Sequence, residues 1–167
     1  YEDVAVRAAA LGADELAATA MLRVAQACTQ PDESLDLERA RWWTRHAEAL
    51  VEGLDDPALD AELLAVRWAI GLEEGSPDLA QRHLEAAIEI FSVHFPDSLR
   101  LADTHQLLAI ALSLQQKHRE AEQHFERSVA AREALLGPVH PRVADGLLNL
   151  ANHLAINGQT ERGIRAA

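Results

Sequence analysis

The sequence predicts an all-α fold: an α-α superhelix, or solenoid, of about four antiparallel helix pairs running through residues 1–167 as a single array. Composition is the first reason. Apolar residues make up 49% of the 167, only seven residues are aromatic, and Ala and Leu outnumber the strand formers Val, Ile, Thr and Tyr; such a chain favours helix over sheet. The second reason is an internal repeat. Residues 101–122 (LADTHQLLAIALSLQQKHREAE) align with 143–164 (VADGLLNLANHLAINGQTERGI) at an offset of 42. Ala102/Ala144, Asp103/Asp145, Leu108/Leu150, Ala109/Ala151 and Leu112/Leu154 coincide, and Pro96 falls on Pro138. A period of 20–50 residues marks an array of supersecondary units that bury their apolar faces against neighbours. The third is helical spacing of apolar residues within each unit.

The elements follow in order. EDVAVRAAALG reads as the end of a second helix, DELAATAMLRVAQACT (14–29) as a first helix and LERARWWTRHAEALVEGL (37–54) as its second. DAELLAVRWAIGLEEG (60–75) is the next first helix, closed by Gly75 with Ser76-Pro77 as the break. DLAQRHLEAAIEIFSV (78–93) carries the stripe Leu79/Ala80, Leu84, Ala87 and Ile88. Leu101, Leu108, Ala109 and Leu112 line the following first helix; after the polar break Lys117-His118-Arg119, Ala121, Phe125, Ser128 and Val129 line a second that runs to Leu136. Gly137 supplies a left-handed terminal residue and Pro138 stops continuation. Leu150 and Leu154 are core residues of the last first helix, and ERGIRAA begins one more. The array is expected to be cut at both ends from a longer protein, with no linker inside.

This small-and-large pattern resembles the tetratricopeptide repeat. Leu150-Ala151, Leu154, Gly158 and Gly163 stand at that motif's leucine, small, aromatic-or-leucine, glycine and small positions; Leu108-Ala109, Leu112, Ala121 and Phe125 do so one unit earlier. The 42-residue period and LLGPVHPRVADGLLNLA are similar to the long repeats of kinesin light chains and related bacterial proteins. Upstream, RARWWTRHAEALVEGLDDPALDAELLAV (39–66) resembles the carboxy-terminal repeat region of large bacterial, myxobacterial-type serine/threonine kinases. No Gly-rich phosphate loop, His-Arg-Asp loop or Asp-Phe-Gly segment is present, so a kinase domain would lie outside this chain. Two departures stand out. Leu64-Ala65 and Trp68 match Leu108-Ala109 and Leu112 at an offset of 44, whereas Ala80 and Leu84 match Ala121 and Phe125 at 41; this predicts a turn three residues longer in the earlier unit. Gln116 replaces the glycine that Gly158 supplies.

Charge and side-chain chemistry narrow the function. A net charge of −12 repels phosphate backbones and anionic lipid, so neither nucleic acid nor direct membrane contact is expected. No window approaches the roughly 20 apolar residues that span a bilayer, and nothing at Tyr1 resembles a signal peptide; a cytoplasmic location is expected, or an extracytoplasmic one if a membrane span precedes Tyr1. Cys28 is the only cysteine. The other histidines (His46, His83, His94, His105, His118, His124, His153) are scattered with no i, i+4 pair, His118 and His124 are expected on different faces, and His140 between two prolines reads as a turn residue. No metal, no cofactor and no catalytic residue is expected: the acidic pairs Asp55-Asp56 and Glu73-Glu74 fall in turns, and Glu120 and Glu122 on a solvated face. Trp42 and Trp43 point about 100° apart on a helix, so one packs between helices and the other is half exposed, a packing residue or an anchor for a partner.

The tetratricopeptide resemblance implies a concave groove lined by first helices. By position, Asp103, Gln106, Ile110 and Ser113 face it from one unit, and Asp145, Leu148, Asn149 and Asn152 from the next. Asn149 falls where the family often places an asparagine that bonds a peptide backbone; Leu107 holds the matching position one unit earlier. Amide side chains suit an extended peptide because each offers donor and acceptor. The recurring Asp103 and Asp145 imply a negative stripe and a basic partner segment. The expected function is a non-catalytic protein- or peptide-binding scaffold or regulatory module of a bacterial signalling protein. The alternatives are a peptide sensor whose superhelix changes pitch on binding and, less favoured, an all-α enzyme.

Overall fold

The computed structural model describes residues 1–29 and 35–158, and among these it holds eight helices and no strand. The expected all-α class is therefore the observed one. Two compact units divide the chain, Tyr1–Ile90 and the residues from Phe91 onward. The first holds α1 (Glu2–Ala10), α2 (Asp14–Ala27), α3 (Leu37–Val51), α4 (Pro57–Glu73) and most of α5 (Pro77–His94). The second holds the end of α5, then α6 (Leu99–Leu114), α7 (His118–Leu136) and α8 (Pro141–Ile156). The pairs α2–α3, α4–α5 and α6–α7 are the units read from the sequence. The onset of a further helix in ERGIRAA lies outside the described residues.

Local chemistry sets the boundaries. Helices α3, α4, α6 and α8 begin where a side chain accepts from an otherwise unpaired first-turn N–H. Asp36 accepts from Arg39 N–H at 3.0 Å and Asp56 from Ala58 N–H at 2.8 Å. Ser98 accepts from Leu101 N–H at 3.2 Å, and His140 Nδ1 from Arg142 N–H at 3.1 Å. Pro57 and Pro141 stand in the first turns of α4 and α8, where a missing N–H costs nothing. His140 is thus the capping residue of the turn that opens α8.

Burial follows the helical stripes. In the first unit Ala5, Ala17, Ala18, Ala25, Ala40 and Ala47 have no exposed surface, and Leu22, Trp43 and Val66 fill the space around them. Trp43 is buried while Trp42, one residue away, keeps 43% of its surface exposed, as the 100° helical step requires. A Cβ built on Gly71 of α4 would lie only 3.6 Å from the Ala80 Cβ of α5. In the second unit Ala109, Phe125, Leu150 and Leu154 form one cluster, and Ala121, Ser128 and Val129 are buried along α7.

One register differs from the sequence reading. The turns after α4 and after α6 are the same length, residues 74–76 and 115–117, so no three-residue insertion exists. Leu64, Ala65 and Trp68 are half-buried; Leu59, Ala61, Leu63, Val66, Ile70 and Gly71 are the buried residues of α4. The true offset between α4 and α6 is 42 at their starts and 41 at their ends, as 57 against 99 and 73 against 114 show. Leu-Ala followed by a large residue matched the motif by type, while the small residue that meets α5 is Gly71. Leu79 likewise lies on the exposed side of Ala80.

Gln116 adopts φ +62°, the conformation that Gly158 adopts at +74°. A side chain there crowds the following carbonyl at a cost of roughly 1–2 kcal/mol, offset in part by the greater unfolded-state freedom of glycine. Gln116→Gly is expected to raise stability by about 1 kcal/mol, read as a higher urea midpoint at unchanged slope. A lower midpoint would contradict the backbone account.

Candidate binding surface

The expected groove residues lie on α6 and α8. On α8 the division between faces is sharp. Val143, Gly146, Leu150, Ala151 and Leu154 are buried, whereas Asp145 and Asn152 are exposed, Leu148 keeps 54% of its surface, and Asn149 is half-buried. Asp145, Leu148, Asn149 and Asn152 share one face at i, i+3, i+4 and i+7, and none of the described carboxylates or cations pairs with Asp145.

On α6 the residues are engaged by the protein itself. Asp103 accepts from two guanidinium groups: Oδ1 lies 2.9 Å from Arg132 Nη2 and 2.8 Å from Arg142 Nη2, and Oδ2 lies 2.6 Å from the latter. Gln106 Oε1 accepts from Arg132 Nη1 at 2.5 Å. Ser113 Oγ is 2.9 Å from His153 Nδ1, and Ile110 packs on the cluster of Ala109, Phe125 and Leu150. Asp103 and Asp145 recur in sequence but not in environment. The Asp103 charge is balanced by two arginines, so the negative stripe reduces at that point to Asp145.

Arg132 is the residue that sequence reasoning passed over. It is 4% exposed on α7, and its guanidinium bonds Asp103, Gln106 and, at 3.3 Å, the Arg142 carbonyl. A buried charge is stable only when paired and hydrogen-bonded, so α6, α7 and α8 are tied at this point. Gly146 makes room: a Cβ there would meet Arg132 Nη1 at 3.0 Å and a Val129 methyl at 3.1 Å. The available signal was the stripe Ala121, Phe125, Ser128, Val129, in which Arg132 is the next inward position.

The histidines expected to be scattered are brought together in pairs by tertiary packing. His105 Nδ1 of α6 lies 3.0 Å from His124 Nδ1 of α7, so one nitrogen carries the hydrogen and the other is bare. The rings of His118 and His153 lie 5.7 Å apart. His153 is buried and also meets the His118 carbonyl at 3.1 Å. No group of three or more His, Cys, Asp or Glu that could hold a metal occurs among the described residues. Burial, then the neighbouring His124 and Arg127, lowers the His105 pKa to about 4. Burial also raises the thiol pKa of the free Cys28.

A tetratricopeptide-repeat family model matches residues 69–134. No curated protein matches the sequence. Among solved structures, BtubC (BKLC) from P. vanneervenii is similar at a TM-score of 0.72 and 18% identity, over 95% of this chain and 61% of that one. Two structures of a kinesin-light-chain protein with nearly identical TPR-like repeats from P. anserina are similar at a TM-score of 0.69 and 19% identity, over 89% of this chain and 70% of theirs. This chain thus spans about three fifths of the BtubC chain. The fold is that of tetratricopeptide-like repeats.

The His105 shift carries a stability consequence. Its folded pKa is depressed below the unfolded value, so between pH 6.5 and about 4 the unfolded chain binds a proton that the folded chain refuses. Stability therefore falls as pH drops through that window. The ceiling is roughly 3 kcal/mol at 1.36 per pKa unit, and the partial exposure of the ring brings it to about 1–2 kcal/mol. His105→Asn is expected to flatten the pH dependence of the unfolding free energy, read from urea titrations, by that amount; an unchanged profile would contradict the assignment.

Proposed function

We propose that this chain is a non-catalytic protein- or peptide-binding module, and that its ligand is an extended segment lying along α8 and the adjoining part of α6. Tetratricopeptide-like folds serve as protein-interaction scaffolds, which supports the class of function. The observation that carries the location is the exposed face of α8, where Leu148, Asn149 and Asn152 stand beside Asp145. Such a face offers an apolar contact flanked by amides that can donate to and accept from a peptide backbone.

The chemistry of the ligand follows from Asp145 and the net charge of −12. Both favour a Lys- or Arg-bearing segment, steered more strongly at low salt. Gln106 and Asp103 would act indirectly here, since Arg132 holds them. We place the module in a bacterial signalling protein, in the cytoplasm, with a serine/threonine kinase domain as its expected companion; the support is the resemblance of residues 39–66 to kinase-associated repeats. Among the described residues no helix is long and apolar enough to cross a membrane.

A peptide array followed by titration of its strongest binders tests the reading. An Asn149→Ala/Asn152→Ala double variant should bind these peptides about 5–20-fold more weakly, as expected for lost hydrogen bonds to a backbone, with its unfolding midpoint little changed. Equal affinity for both proteins would place the binding elsewhere.

A further inference from the structure

The first unit carries a surface that the groove does not account for. Trp42 on α3 is 43% exposed, and its ring is held on both sides. It stacks on His46 at a centroid distance of 3.9 Å and 29° between planes, and meets the buried Trp43 edge-on at 4.7 Å. His46 Nδ1 lies 2.7 Å from the Trp42 carbonyl oxygen and donates to it, which fixes the imidazole and leaves its Nε2 directed away from that bond. An exposed tryptophan with its rotamer held in place loses little entropy on binding, and tryptophan is enriched among residues that dominate interfaces.

Beside the ring is an open recess of about 660 Å³, with Ala9 of α1, Met21 of α2, and Ala49 and Leu50 of α3 as its apolar walls. Arg45 and His46 stand at its edge. The charges of α3 are otherwise spoken for. Arg39 pairs with Glu2, Arg41 with Glu38 and Glu74, and Glu48 with Arg67. Arg45 is exposed and has no carboxylate partner among the described residues. In a chain of net charge −12, Arg45 is an unpaired positive group beside an exposed tryptophan.

We infer that the recess over Trp42 is a second protein-interaction site, and that it takes a partner segment in which a large apolar side chain is followed directly by a carboxylate. The apolar side chain fills the space between Trp42, Met21 and Leu50. The carboxylate meets Arg45, a charge-assisted hydrogen bond in partly desolvated surroundings. Complementarity of charge selects this occupant over a basic one, because a lysine would face Arg45 directly. The site is independent of the peptide reading for α8: the residues are different, and the ligand preference is of opposite sign.

The probe is a capped hexapeptide with a central Phe-Glu, compared with the same peptide carrying Phe-Lys or Ser-Glu, titrated against the ¹⁵N-labelled chain. Indole N–H signals report Trp42, Trp43 and Trp68 separately. Saturable shifts at Trp42 but not Trp68 are expected with Phe-Glu, in about the millimolar range given a single anchor and one charge, with little response to Phe-Lys or Ser-Glu. Arg45→Glu, on an exposed position that leaves helicity intact, should weaken Phe-Glu by about 3–10-fold and reverse the preference to Phe-Lys. An Asn149→Ala/Asn152→Ala variant should bind Phe-Glu as the parent does. The inference is overturned by the absence of a saturable Trp42 shift, by equal response to Phe-Lys, or by undiminished affinity in Arg45→Glu.

Discussion

Close approach of helices at alanine and glycine is the constraint on which everything else in each unit depends. Ala17, Ala18, Ala40 and Ala47 in the first unit, and Ala102, Ala109 and Ala121 in the second, have no exposed surface. Gly71 and Ala80 bring α4 and α5 within ordinary contact distance. A small side chain on an inward stripe lets the neighbouring backbone approach, and the larger residues around it, such as Leu84, Leu108, Leu112 and Phe125, then fill the flanking space. The charged residues are displaced to the opposite faces, which is why so acidic a chain still forms ordinary cores.

That division also decides what is left to bind. Helix α8 keeps Leu148, Asn149 and Asn152 outside because Val143, Gly146, Leu150 and Leu154 occupy its inner stripe. On α3 the same geometry sends Trp43 inward and leaves Trp42 out. Among the described residues the one inward position taken by a charged side chain, Arg132, forces a local solution: Asp103 and Gln106 turn to satisfy it, Gly146 yields space, and Asp103 ceases to be an available acidic contact. A side chain at an expected ligand-facing position is thus not necessarily free to meet a ligand.

The repeat was legible because α6 and α8 share both spacing and burial: Leu108 and Leu150, Ala109 and Ala151, Leu112 and Leu154 are all buried. Residue type alone misled in α4, where Leu64-Ala65 imitates the motif but Gly71 makes the close contact. The His105–His124 and His118–His153 pairs were beyond sequence reading because each joins different helices, and no i, i+4 spacing announces them. Arg132 sat within an identified stripe, yet a charged residue on such a stripe reads as its end until a partner from another helix is seen. The candidate groove was legible as positions; which of its side chains remain unengaged required the tertiary ion pairs.

Substituting leucine for alanine at one buried and one exposed site tests the packing constraint most directly. Ala109 has no exposed surface, whereas Ala155 of α8 is exposed. Forced overpacking at Ala109 should lower the unfolding free energy by about 1–3 kcal/mol or more, while Ala155→Leu should stay within about 0.5 kcal/mol of the parent. Equal urea midpoints for Ala109→Leu and Ala155→Leu would contradict the account.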